Sequence, residues 1–145
     1  MARRSRQEIY KDTEYFHYHN ANPKNRITED CVVRALTTAL RMDYTDVVKE
    51  LAKIQCETGY CGFGKKGIEK FLTSLEYVKC KEPRKWDNTK MTLKEFMDDN
   101  PWIDNKNIIC FAGSHHVSCI IDGVVNDIWD CSRQTMHTYW VIDKV

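Results

Sequence analysis

Apolar side chains follow two different periods along the chain, a helical one in the first half and an alternating one in the second. Between residues 30 and 75 they recur every three or four positions, which predicts helices at about 30–41 and 45–56 and a third around 68–75. From residue 107 onward they alternate with polar residues, which predicts strands at 107–113, 116–121, 124–130 and 138–142. The pattern therefore predicts an α+β fold in which N-terminal helices pack on a C-terminal antiparallel β-meander of about four strands.

Shorter signals mark the segments between these elements. Thr92 and Glu95 have the spacing of a capping box, so a short helix is expected to begin there and to end before Pro101. Residues 77–80 form a short strand candidate. The three glycines in 59–64 lack the Gly-Lys-Ser/Thr ending of a phosphate-binding loop, and the segment is interpreted as a flexible loop.

Length and composition indicate one ordinary globular domain. The 145 residues are 42% hydrophobic, which is enough to bury a core without disulfide bonds. We expect a single domain over residues 21–145, preceded by a partly ordered arm over residues 1–20 that packs aromatic side chains on the body. The net charge of +1 provides no global field that would attract nucleic acid or a membrane.

The seven cysteines are odd in number and do not repeat at regular spacing. The chain also has no apolar signal-peptide core behind its basic start and no run approaching eighteen apolar residues. A cytoplasmic location is therefore expected. Cys56 and Cys61 resemble half of a zinc site, but the second half lacks ligand spacing, so neither a metal nor another cofactor is expected.

Cys31 occupies the position at which a reactive thiol would be expected. Asp30 is a suitable N-cap residue, so Cys31 falls in the first turn of the first predicted helix. Unpaired backbone N–H groups and the positive end of the helix dipole favour a thiolate there. The sequence therefore predicts that Cys31 is a nucleophile, although a buried structural thiol is the alternative.

The dipeptide Asp122-Gly123 between two apolar runs predicts a two-residue β-hairpin turn. Residues whose numbers sum to 245 then face each other. This places His116 diagonally opposite Asp127, about 7 Å apart at Cβ and within reach of a hydrogen bond. His115 would instead face Asn126, on the side with more apolar residues, which is expected to face the core. We therefore favour His116 with Asp127.

A cysteine at a helix start, a histidine on one strand and an aspartate on the next supply a nucleophile, a base and a group that orients the base. The oxyanion formed in acyl transfer also needs donors. The backbone N–H of Cys31 is one candidate, and the side chain of Asn25, six residues upstream, is the second.

These residues resemble the papain-like cysteine peptidases, and in particular small single-domain members from bacteria and phages with the order Cys, His, Asp. The resemblance covers about residues 25–36 and 92–130 and is carried by the segment around Cys31, the capping-box helix, and the run from His116 to Asp130. It implies a papain-like fold, with Asn25 at the offset where papain-like enzymes place their oxyanion-hole glutamine.

The sequence thus predicts a thiol hydrolase that cleaves amide, peptide or isopeptide bonds of a protein or peptide substrate through Cys31, His116 and Asp127. Substrate choice is assigned to the loops 59–64 and 80–91. A catalytically inactive papain-like protein that binds or inhibits a host partner is the second hypothesis. A nucleic-acid-binding module that uses Arg3, Arg4 and Arg6 is the third and is not favoured.

Overall fold

The structure is a computed structural model that describes residues 3–143. Residues 1, 2, 144 and 145, which belong to the predicted arm and domain, lie outside the described residues. The described chain contains α1 (Arg6–Ile9), α2 (Cys31–Leu40), α3 (Tyr44–Thr58), α4 (Lys65–Ser74), α5 (Leu93–Asp99) and a 3-10 helix (Pro101–Asn105). It also contains β1 (Phe16–Tyr18), β2 (Lys79–Cys80), β3 (Lys106–Ala112), β4 (His116–Ile121), β5 (Val124–Asp127) and β6 (Met136–Asp143). The prediction of an α+β fold is confirmed.

The predicted helices lie close to their expected positions. Helices α2 and α3 form the expected pair and are separated by a turn in which Arg41 adopts a left-handed conformation with φ of 56°. The capping box is present, because Thr92 Oγ1 accepts from the N–H of Glu95 at 3.1 Å and Glu95 Oε1 accepts from the N–H of Thr92 at 3.0 Å. Helix α5 ends at Asp99, before Pro101 as expected.

The sheet has six strands in the order β1-β5-β4-β3-β6-β2. Strand β1 is parallel to β5, and the other neighbours are antiparallel. The predicted four-strand meander is therefore wrong, because β6 pairs with β3 instead of β5. The edge of β5 on which β6 would lie in a meander is occupied by β1, a three-residue strand in an aromatic segment with no clear period.

Both faces of the sheet are buried. Helix α2 packs on one face, and buried residues of α2, α3 and α4 form one core with Val117 and Cys119, as expected from the hairpin parity. The other face, which carries Ile120 and Val125, packs against α5, the 3-10 helix and Phe16. The alternation of residues in the hairpin predicted the core on the first face but not the core on the second. The second face carries the polar residues His116 and Ser118, which gave it the pattern of an exposed surface.

The segment 3–20 contributes to the second core and to the sheet. Phe16 in β1 is fully buried and lies opposite Val125. The N–H of His19 donates to the carbonyl of Asp127 at 2.9 Å, so β1 continues to the end of β5. Arg6 donates through Nε to the carbonyl of Ile128 at 3.1 Å. This segment is thus joined by hydrogen bonds to the strand that carries the predicted acid.

Two glycines in and after the loop 59–64 allow close backbone packing. A Cβ on Gly62 would overlap the carbonyl of Leu51 in α3, and a Cβ on Gly67 would overlap the carbonyl of Gly62. The loop is therefore held between α3 and α4, and this contact fixes the position of Phe63 that follows.

Within residues 3–143, none of the helices has the length and apolar character needed to cross a lipid bilayer.

Candidate active site

Cys31 is the first residue of α2 and is half-buried. Asp30 holds the N-cap position, but its side chain makes no capping hydrogen bond, so the predicted capping role is wrong. Its Oδ2 instead accepts from the hydroxyl of Tyr44 at 2.7 Å and from the amide of Asn22 at 3.0 Å. Helix α2 therefore begins where the sequence indicates. The carboxylate of Asp30, next to Cys31, forms hydrogen bonds with residues outside the helix start.

The hairpin that carries the other two predicted residues has the expected register. Ile121 lies opposite Val124 and Ile120 opposite Val125, so the paired numbers sum to 245. Asp122 and Gly123 both have positive φ, 51° and 77°, as a type I′ turn requires.

His116 and Asp127 are in direct contact. Nε2 of His116 lies 2.6 Å from Oδ2 of Asp127, so the predicted hydrogen bond is present. The same Oδ2 accepts from the hydroxyl of Ser118 at 2.6 Å, and Oδ1 accepts from the N–H of Ile128 at 2.7 Å. Asp127 is buried with 5% of its side chain exposed, and His116 is partly buried with 15% exposed. Because the carboxylate is held at both oxygens, it fixes the orientation of the imidazole.

Hydrogen bonding to His116 and to the backbone N–H of Val117 acts to lower the pKa of the Cys31 thiol. Burial raises the pKa of Cys31, but these two hydrogen bonds and the charges of His116 and Arg34 more than offset it. The pKa of this thiol is therefore lowered below its usual 9.0. Since Nε2 of His116 faces Asp127, Nδ1 is the ring nitrogen left for the sulfur.

The pKa of His116 moves in the opposite direction. Burial of the ring lowers it, but hydrogen bonds with Asp127, Cys131 and Cys31 raise the pKa to about 11. A raised pKa for the imidazole and a lowered pKa for the thiol favour the thiolate–imidazolium pair. Such a pair is the reactive form of a cysteine nucleophile.

His115 and Trp129 both lie close to His116, at different positions relative to the cleft. His115 lies in the β3–β4 turn, where it is exposed and lines the cleft beside Cys31. Trp129 covers His116, with ring centroids 5.0 Å apart and the indole nitrogen 3.2 Å from Nε2. Of the two histidines, the structure therefore places His116 between the sulfur and the carboxylate.

Asn25 lies elsewhere. It is exposed, has a positive φ of 54°, and its Oδ1 accepts from the amide of Asn20 at 3.4 Å. Among residues 3–143, the side chains that line the two cavities beside Cys31 include His19 but not Asn25. The structure thus brings together three of the four predicted site residues and leaves the predicted oxyanion donor outside.

A cleft of about 510 Å³ opens beside Cys31. Phe63, which follows the glycine contact, and Glu82 line it, so both loops assigned to substrate choice reach the cleft. Apolar Val32 and Phe111 form part of the wall, and Lys65 and His137 add polar groups. A cleft of this volume lies within the range of ligand-binding pockets.

Sequence reasoning missed several residues around the acid. Arg34 contacts Asp30 and Asp127, with its Nε 3.2 Å from Asp30 Oδ1 and its NH2 group 3.8 Å from Asp127 Oδ1. Cys131, read only as one of seven scattered thiols, is buried with its sulfur 3.9 Å from Asp127 Oδ2. The signal for Arg34 was its position one turn after Cys31, on the side of α2 that faces the sheet.

His116, Asp127 and Cys131 carry atoms of the kinds that bind zinc, all within 4.8 Å of one another. Two ligands of a tetrahedral zinc ion lie about 3.3 Å apart. The His116 and Asp127 atoms are 2.6 Å apart and are hydrogen-bonded to each other. In this arrangement the His116 and Asp127 atoms are closer together than two ligands of one zinc ion.

Searches of protein-family models, curated proteins and solved structures find none that matches this chain.

Proposed function

We propose that this protein is a thiol hydrolase that cleaves amide, peptide or isopeptide bonds with Cys31 as nucleophile. The observation that carries the proposal is the placement of Cys31 and His116 together in the lining of a cleft, with His116 hydrogen-bonded to Asp127. The order of a cysteine at a helix start, then a histidine strand, then an aspartate strand supports assignment to a papain-like fold of the type found in bacteria and phages.

In the proposed reaction, the thiolate of Cys31 attacks the carbonyl carbon and forms a C–S bond, while the carbonyl oxygen takes the negative charge. The imidazolium of His116 gives its Nδ1 proton to the departing amine as the C–N bond breaks. Water, deprotonated by His116, then attacks the thioester, the C–S bond breaks, and the acid product leaves. Asp127 retains its hydrogen bond to Nε2 throughout and stabilises the imidazolium.

The start of α2 provides one donor for the oxyanion. The N–H of a first helical residue such as Cys31 has no partner within the helix, and the helix dipole favours negative charge at that end. The substrate proposed is a protein or peptide, because the cleft has both apolar and polar walls and the net charge is only +1. Seven free thiols suit a reducing compartment, and we propose a cytoplasmic location.

Site-specific alkylation tests the nucleophile directly. With iodoacetamide near pH 6, mapped by mass spectrometry, we expect Cys31 to be labelled well ahead of the exposed Cys56 and Cys61, because its pKa is lowered. Hydrolysis of a panel of peptide, ubiquitin-like and peptidoglycan-derived amides should fall by about 10³-fold or more in Cys31→Ser. Cys61→Ser, which removes an exposed thiol outside the cleft, is the matched control. Equal labelling of all three cysteines would contradict the proposal.

The exposed position of Asn25 favours a second candidate function, a papain-like protein without turnover that binds or inhibits a host partner. Such a protein could retain the reactive pair but lack a complete set of oxyanion donors. Rapid labelling of Cys31 together with no hydrolysis of any amide in the panel would support this candidate over the first.

A further inference from the structure

Arg34 joins the nucleophile helix to the acid. It lies on α2 one turn after Cys31, and only 8% of its side chain is exposed. Its Nε lies 3.2 Å from Oδ1 of Asp30, and its NH2 group lies 3.8 Å from Oδ1 of Asp127. One guanidinium thus spans from the carboxylate beside the nucleophile to the carboxylate that orients His116.

The two oxygens of Asp127 are occupied by different groups. Oδ1 faces Arg34 and the N–H of Ile128, whereas Oδ2 faces His116 and Ser118. A carboxylate free to rotate about its Cβ–Cγ bond could exchange the two oxygens and weaken the contact with Nε2. A cation fixed on the Oδ1 side, together with the backbone N–H, opposes that rotation.

Arg34 is itself held in place from the other end. Asp30, its partner, is fixed by Tyr44 from α3 and by Asn22 from the segment before α2. A buried arginine that is ion-paired to a fixed carboxylate has few positions open to its guanidinium. The network therefore transmits the position of α2, and with it Cys31, to the carboxylate on β5.

We propose that Arg34, anchored by Asp30, is a positioning residue that holds the Asp127 carboxylate with Oδ2 directed at His116. This inference rests on the proposed function, since it concerns the same three residues. It assigns the Asp30–Arg34 pair to the orientation of the base in addition to any contribution to folding.

The sign of a change in the pKa of His116 distinguishes positioning from a simple charge effect. Removing a nearby positive charge would by itself raise the pKa of the imidazole, because a like charge is lost. Loss of the oriented carboxylate would lower it, because the hydrogen bond with Asp127 is the largest of the contributions that raise it. NMR titration of the His116 ring, performed with Cys31→Ser present in every variant, measures this pKa without requiring turnover.

We expect Arg34→Met to lower the pKa of His116 by about one unit or more. Asp30→Asn, which keeps the Arg34 charge and the Tyr44 contact but loosens the anchor, should lower it by less. Lys85→Met is the control, because it removes an exposed ion pair with Glu95 outside the cleft and should leave the value unchanged. If Arg34→Met does not fold, the pKa of His116 in Asp30→Asn alone tests the positioning role.

An unchanged or raised pKa of His116 in the folded variants would overturn the positioning role. That result would leave the proposed hydrolase intact, provided that Cys31 in the otherwise unmodified chain is still alkylated selectively near pH 6. Uniform alkylation of the cysteines would instead contradict the hydrolase itself, whatever the titration shows.

Discussion

At the scale of single residues, the site depends on opposite pKa shifts in two neighbouring groups. The pKa of Cys31 is lowered and that of His116 is raised to about 11, so the thiolate and the imidazolium coexist between the two values. The thiolate persists above the lowered pKa of Cys31 and is lost as the pH falls through it. We therefore expect the thiol of Cys31 to react at lower pH than an ordinary thiol does.

His116→Gln and His115→Gln form a matched pair for this pH dependence. Without the imidazolium, Cys31 keeps the burial that raises its pKa and loses the hydrogen bond that lowers it most. Alkylation of Cys31 at pH 6 should slow by about tenfold or more in His116→Gln, since one pKa unit is tenfold in thiolate population. Rates measured from pH 5 to pH 9 should show the acid limb moving upward in this variant.

His115→Gln should leave that profile in place, because His115 is exposed in the β3–β4 turn while Asp127 contacts its neighbour. A shift of the profile in His115→Gln, with none in His116→Gln, would reverse the assignment of the base.

At the scale of elements, close backbone contacts fix the loop that forms one rim of the cleft. Gly67 in α4 approaches the carbonyl of Gly62, and Gly62 approaches that of Leu51 in α3. Phe63 is the next residue and lines the cleft. The packing of α3 against α4 thus determines part of the surface of the cleft.

Gly67→Ala tests this contact. The added Cβ overlaps a backbone carbonyl that cannot rotate away, so α4 and the loop must separate. We expect a loss of about 1–3 kcal/mol in the free energy of unfolding, measured by urea denaturation.

Gly64→Ala is the corresponding control, because its Cβ would meet only ordinary contacts near 3.9 Å from Cys61. Its free energy of unfolding should change by about 0.5 kcal/mol or less. Equal effects of the two substitutions would show that the close approach at Gly67 is not required for stability.

At the scale of the whole molecule, the site is assembled from segments far apart in sequence. The proposed nucleophile comes from α2 and the proposed base and acid come from β4 and β5. The backbone carbonyl of Asp127 accepts from the N–H of His19, the residue that follows β1. Strand β1 of the N-terminal segment is thus part of the sheet that carries Asp127. Arg6, one of three arginines considered for nucleic-acid binding, contacts the carbonyl of Ile128.

Phe16→Ala tests the contribution of the N-terminal segment. The ring is fully buried in the second core, so its removal leaves a cavity and should lower the free energy of unfolding by about 3–5 kcal/mol. Trp86→Ala removes a larger aromatic ring that is 98% exposed and should change stability by about 0.5 kcal/mol or less. Thermal melts of both variants compare the two directly. A Phe16→Ala variant as stable as Trp86→Ala would contradict a structural role for β1.

The sequence by itself determined the elements and the local geometry of the hairpin. Helical and alternating periods placed α2, α3 and the strands β3 to β6, because each period records which side of an element is buried. The dipeptide Asp122-Gly123 and the two-residue period were enough to bring His116 to Asp127, since register in a hairpin is a local property.

Only the tertiary structure decided how these elements are combined. The parallel pairing of β1 with β5, the crossing of β6 to β3 and the burial of both sheet faces depend on contacts between distant segments that leave no period in the sequence. The tertiary structure also decided that Asp30 contacts Arg34 and Tyr44 instead of capping its helix. It placed Asn25 outside the cleft, which its offset from Cys31 in the sequence did not reveal. The spacing of residues determines the direction in which side chains point only within a single helix or strand. The path of a loop depends instead on the residues against which the loop packs.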